Sequence, residues 1–167
     1  MYAELQDYAK AVQFYELVAD ASLSSALTKY SVKEYWLRAG LCAVAEGVSA
    51  QFTSFRPYFA RIGHNIYLLS LLVLTLTWSF LTPHPSRQDI VKARRQASTY
   101  ASKDVTFTST REHKFLIAVI DARESEDEQA LTDAAVDFDS VVKLDNWKTK
   151  VLLDIKNKIQ ESGGDFR

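Results

Sequence analysis

An all-α fold, a solenoid fragment of stacked antiparallel helical hairpins ending in a helical C-terminal bundle, is what this sequence predicts, and three observations carry it. The apolar residues of 126–159 recur at three- and four-residue steps. Helix-start signals of the serine or threonine kind precede other apolar runs. Similar short segments also return at intervals suited to a two-helix unit: Asp7-Tyr8-Ala9-Lys10-Ala11 is echoed by Asp89-Ile90-Val91-Lys92-Ala93 and more weakly by Glu126-Asp127-Glu128-Gln129-Ala130.

In chain order, Glu4 to Asp20 reads as a helix with Tyr8, Ala11, Val12, Tyr15 and Val18 on its apolar side. Ala21 to Thr28 is a connection. Ser31-Val32-Lys33-Glu34 has the form of a capping box, in which the serine takes an orphan N–H and the glutamate reaches back. The helix it opens should bury Trp36, Leu37, Leu41 and Val44 and stop near Gly47. Ser109-Thr110-Arg111-Glu112 is a second such box, before a buried face of Phe115, Leu116, Val119 and Ile120. Leu131, Ala134, Ala135, Phe138, Val141 and Val142 form one stripe of a helix about five turns long. Asp145 then caps a helix carrying Trp147, Val151, Leu152, Ile155 and Ile159, which is expected to pair with its predecessor and to stop at Gly163-Gly164.

One stretch is of a different material. Between Val48 and Gln88 there is no Asp, Glu or Lys, yet all three prolines, His64, His84 and seven aromatic residues lie there. Outside it the chain carries 17 basic against 21 acidic residues. Asp7 and Asp89 stand 82 positions apart, but leaving out these 41 residues makes the interval 41, against 37 from Asp89 to Glu126. The segment therefore interrupts a repeat. Its first two codons can read GTGAGT and its last can read CAG, the bases found at the two ends of an intron, and 41 codons keep frame. A retained or misassigned intron is one reading; a true insertion or membrane segment is the other. Ile66 to Leu81 is apolar, and as a helix would be roughly 24 Å long, short of a ~30 Å hydrocarbon core. The organisation expected is a helical hairpin over 1–47, the aberrant segment over 48–88, helical repeats over 89–162 and a short tail, 163–167.

Composition excludes some functions. A formal net charge of −1 is not that of a nucleic-acid binder, which needs a basic face for phosphates. A single cysteine, Cys42, cannot make an intrachain disulfide and suits a reducing compartment as a small buried hydrophobe. The mixed polar residues of 1–10 are unlike a signal peptide. His64, His84 and His113 have no partner at helical spacing, and neither a glycine-rich phosphate loop nor an activated serine or cysteine occurs, so no catalytic, cofactor or metal site is expected.

Several strings in fixed order carry a resemblance: Tyr8 to Glu16, Leu27 to Tyr35, Phe107 to His113, Phe138 to Ser140, Leu144 to Thr149 and the ending Asp165-Phe166-Arg167. With Glu46-Gly47 joined to Asp89-Ile90, the chain resembles the C-terminal half of the soluble NSF attachment protein family, alpha-SNAP, in a fungal-like form. The resemblance implies a TPR-like solenoid and an adaptor without enzymatic activity. Proteins that look like this bind the SNARE complex, recruit and stimulate the NSF-type AAA ATPase, and sit in the cytoplasm or peripherally, through SNAREs, on vesicle, Golgi or vacuolar membranes. It places Leu27, Tyr30 and Lys33 on the SNARE-facing surface, and Asp89, Asp121, Glu124 and Phe166 on the ATPase-facing one. Ser125 stands where the family carries a further acid, and Phe166 where it carries a leucine or similar residue.

Elementary physics gives parallel readings. The carboxylates of Asp121 to Glu128, offset only by Arg123, would steer a basic partner, and equally would suit a solvated turn. Two other classes stand beside the adaptor: a generic helical scaffold for extended peptides, and a small single-span membrane protein using Ile66 to Leu81.

Overall fold

The computed structural model describes residues 7–46 and 85–163, all of whose regular structure is helical. Six α-helices follow in order: α1 Tyr8–Leu23, α2 Val32–Glu46, α3 Pro85–Lys103, α4 Arg111–Glu124, α5 Glu128–Val141 and α6 Asn146–Gly163. Short 3-10 turns, Lys29–Ser31 and Val105–Ser109, lead into α2 and α4. Gly47, Phe166 and the apolar run Ile66 to Leu81, with the helix expected over Ile66 to Phe80, lie outside the described residues.

Four of the six helices start where a side chain takes an orphan N–H group. Asp7 accepts from Lys10 N before α1, Asp127 from Gln129 N and Ala130 N before α5, and Asp145 Oδ1 from Lys148 N at 2.7 Å before α6. At α4 the cap falls one residue later than the expected box: Thr110, not Ser109, accepts from His113 N at 3.2 Å. Glu112 instead meets Lys33 Nζ at 2.9 Å. At α2 the 3-10 turn carries the chain into the helix, and Glu34 Oε1 faces Arg38 Nε at 2.9 Å and Lys148 Nζ at 2.7 Å. A glutamate with two cations beside it gains more from charge-assisted bonds than from a neutral backbone N–H.

Helix α2 is the centre of the pile. Trp36, Leu37, Ala39, Gly40, Leu41, Cys42, Ala43, Val44 and Ala45 are buried on every side, against α1, α3, α4 and α6. This goes beyond the single stripe expected. The small residues let neighbours close in: a Cβ on Gly40 would stand 2.5 Å from Leu116 Cδ2, so α2 and α4 meet at a backbone without side chain. Two apolar clusters result. The larger joins Tyr8, Val12, Leu37, Leu41, Leu116, Ile120 and Ile155. The smaller is built on Trp36, stacked on Tyr100 at 5.7 Å and met edge-on by Phe107 at 5.0 Å.

The buried faces follow the periodicity with three departures. Val18 and Val141 are exposed, and Ala19 is buried in place of Val18. Helix α5 has 14 residues, nearer four turns than five. Helix α6 touches α5 lightly and lies chiefly along α2, which turns the end of the stack into a bundle. Its first turn is tied there by charge: Arg38 Nη2 bonds Asp145 Oδ2 at 2.8 Å, and its guanidinium lies 5.1 Å over the Trp147 ring.

Candidate interaction surfaces

Helices α2 and α4 run parallel, with Lys33 and Glu112 paired at their starts, and α3 runs the opposite way between its neighbours. This direction sorts the residues singled out by sequence into two ends. The connection between α1 and α2 and that between α3 and α4 gather at one end. The C-termini of α2 and α4 and the N-terminal half of α3 gather at the other, about 20 Å away for helices of this length.

At the first end Leu27 and Tyr30 are 92% and 84% exposed, although both are large and apolar. Two such side chains left in water cost free energy that a partner surface would recover. Lys33 is beside them in the first turn of α2, tied to Glu112 of α4. Next to Glu112, Arg111 and Lys114 border a groove of about 560 Å³ between α4 and α5, lined also by Asp137 and by Phe115 and Phe138, whose rings stack at 4.4 Å. Sequence reasoning passed over these two cations, because only the packing of α5 on α4 makes a groove of them.

At the second end Asp121 and Glu124 are exposed on the last turn of α4. Arg94 of α3 holds them together, its Nη2 lying 2.5 Å from Asp121 Oδ1 and 2.5 Å from Glu124 Oε2. The two carboxylates raise the Arg94 pKa in return. The Asp89 side chain is only 19% exposed, 3.5 Å from Lys92 on its own helix. It begins no helix, because α3 starts at Pro85, four residues ahead of the boundary read from composition. Arg123, Lys158 and Glu46 feel its charge. Asp89 therefore faces the seam of α2, α3, α4 and α6, while Asp121 and Glu124 face Arg94.

The carboxylates of 121–128 are consequently more occupied than their sequence suggests. Arg123 does not offset them from outside: it is 6% exposed, turned into the bundle, and its Nη1 lacks a hydrogen-bond partner. Burial pushes its pKa down. The cations that reach the acids are Arg94 and, on α6, Lys156, which lies 2.9 Å from Glu128 Oε1. Asp127 is spent as the α5 cap. Ser125 ends α4, its Oγ donating to Asp121 O at 2.9 Å. Glu126 follows in the left-handed region at φ 54°, while Asp127 N donates back to Ala122 O at 2.9 Å and Glu126 N to Arg123 O at 3.4 Å. This is a Schellman turn with glutamate where glycine would sit without strain. Among the described residues no cluster of His, Cys, Asp and Glu is arranged to hold a metal, and no helix is long and apolar enough to cross a membrane.

Comparison with known proteins matches residues 1–57 and 84–160 to the family model of soluble NSF attachment protein, SNAP. The chain belongs to the soluble NSF attachment protein family. Among SNAP relatives, the vesicular-fusion protein SEC17 of Coprinopsis cinerea is 42% identical over 164 residues, covering 98% of this chain and 43% of the relative. The alpha-soluble NSF attachment protein of Vitis vinifera is 31% identical over 158 residues, covering 95% and 40%. That of Mus musculus is 27% identical over 165 residues, covering 99% and 42%. This chain thus spans about two fifths of the length of the SNAP proteins it matches, as a C-terminal fragment of the family's pattern. The SNAP model skips residues 58–83 and resumes one residue before α3.

Proposed function

We propose that this chain is the ATPase-recruiting part of a SNARE-disassembly adaptor in vesicle fusion, without catalytic activity or cofactor of its own. The observation that carries the reading is the separation of two unlike surfaces on one pair of parallel helices. An adaptor has to touch two partners at once. Leu27, Tyr30 and Lys33 supply an apolar and cationic end suited to an acidic helical bundle such as the SNARE complex. Arg111 and Lys114 extend the same end with positive charge. Asp121 and Glu124, with Asp89 behind them, supply an anionic end suited to a basic ATPase of the NSF type, an attraction that salt would weaken. The family resemblance adds Phe166 to the ATPase-facing residues as an apolar anchor. Association with vesicle, Golgi or vacuolar membranes would be peripheral and run through SNAREs.

A pulldown with assembled SNARE complex and NSF-type ATPase tests both surfaces. Asp121→Lys and Asp89→Lys should keep SNARE capture and lose the ATPase, whereas Leu27→Ser with Tyr30→Ser should lose the SNAREs. Loss of both partners together, in variants that keep wild-type helicity and melting, would defeat the division. The groove between α4 and α5 favours a second reading, a scaffold for extended acidic peptides. Such a scaffold would bind peptides with or without SNAREs and would be indifferent to Asp121→Lys.

A further inference from the structure

We propose that Ser125 is a phosphorylation site for an acidophilic serine/threonine kinase, and that the phosphoryl group deepens the negative charge at the α4 end of the molecule. The modification stands without the adaptor reading; only its effect on the ATPase rests on that reading.

Glu126, Asp127 and Glu128 occupy the first, second and third positions after Ser125, and no other serine or threonine of the chain is followed by three acids. Acidophilic kinases hold a substrate in a basic groove, so carboxylates just after the acceptor hydroxyl set both affinity and register. The acceptor itself is exposed. Its Oγ donates only to Asp121 O at 2.9 Å and Ala122 O at 3.3 Å, bonds of the last helical turn that water replaces when that turn frays. The turn also carries built-in strain, because Glu126 holds φ 54°, where a side chain is disfavoured. Opening it into the extended form a kinase groove needs releases that strain.

In the transfer, Ser125 Oγ attacks the γ-phosphorus of ATP, the bond from that phosphorus to the ADP oxygen breaks, and ADP leaves. The hydroxyl proton passes to the kinase's base. The product brings close to two negative charges and three acceptor oxygens to a site flanked by Asp121, Glu124 and Glu126. Arg94 is already shared between Asp121 and Glu124, so the added charge is largely uncompensated and projects outward.

The test incubates the full chain with casein kinase 2, magnesium and ATP, follows intact mass and locates the product by tandem mass spectrometry. One phosphoryl group on Ser125 is expected, absent in Ser125→Ala and formed several-fold more slowly in Glu128→Gln, whose hydroxyl is intact. No phosphoryl group on Ser125, or equal labelling of Ser125→Ala, overturns the assignment. The phosphorylated chain should then capture several-fold more NSF-type ATPase than the unmodified chain, with a steeper loss on adding salt; equal or weaker capture overturns the charge effect. If Ser125 is phosphorylated but neither form captures the ATPase, the adaptor reading fails and the modification stands.

Discussion

Lys148 shows what single residues decide here. Its side chain is 5% exposed and its ammonium lies 2.7 Å from Glu34 Oε1, across the joint of α2 and α6. Removing one partner of a buried ion pair is costly when it strands the other charge. Glu34, 31% exposed, keeps Arg38 at 2.9 Å if Lys148 is removed, whereas Lys148 would be left buried without Glu34. Lys148→Met is therefore expected to change stability little, and Glu34→Ala to cost about 3 kcal/mol, read from urea unfolding; the reverse order would refute this account of the joint. Cys42 gives a pH signature. Burial pushes its thiol from an ordinary 9.0 up to about 12. Below pH 9 both states hold the proton and the thiol has no effect. From pH 9 upward the unfolded chain loses it first, so stability falls until about pH 12. Native Cys42 should resist alkylation at pH 8 and react once the chain is unfolded, while Cys42→Ala should flatten the alkaline fall. None of the cross-helix pairs, Lys148 with Glu34 or Arg94 with Asp121, was legible in the sequence, because each depends on which helices become neighbours.

Among the elements, α2 and α4 form the tightest joint. Gly40 admits Leu116 so closely that any side chain must push a leucine that is itself wholly buried. Gly40→Val should destabilise by roughly 1–3 kcal/mol, the range for overpacking a filled core. Gly40→Val combined with Leu116→Ala should recover part of that loss in thermal melts, and failure to recover would place the strain elsewhere. Helix existence, order and most buried faces were legible, since four of the five residues named for α6 and all four named for α2 are buried. The misses among the buried faces have one cause. Periodicity finds an apolar stripe but not which of its edges a neighbour covers. Val18 lies at the uncovered edge of α1 and Ala19 at the covered one, and Val141 lies at the uncovered end of α5. The one-residue shift at Thr110 arises because its Oγ1 also donates to Phe107 O at 2.6 Å, closing the 3-10 turn and opening the helix with one hydroxyl.

For the whole molecule, the interruption is the decisive question. We propose that Val48 to Gln88 is a retained intron in an otherwise continuous SNAP-family repeat. The family match stops inside the segment's first residues and resumes before its last, and the two flanks pack as one body through α2 and α3. Sequencing of mature transcripts should return messages joining the codons of Gly47 and Asp89; messages that uniformly keep the 41 codons would end the proposal. A chain made from the joined message should melt higher than this one. Membership in the family was legible because ordered strings of residues survive the interruption. The charge balance at the α4 end was not, since Arg94 and Lys156 come from helices far away in sequence.

The parallel course of α2 and α4 also fixes how the body bears load. A pull between the Lys33 end and the Asp121 end runs lengthwise along both rods. Yielding would require them to slide past each other, with the Leu116 knob dragged out of its notch at Gly40, instead of peeling apart one contact at a time. Such a shear arrangement resists tugging far better than the same contacts would resist unzipping.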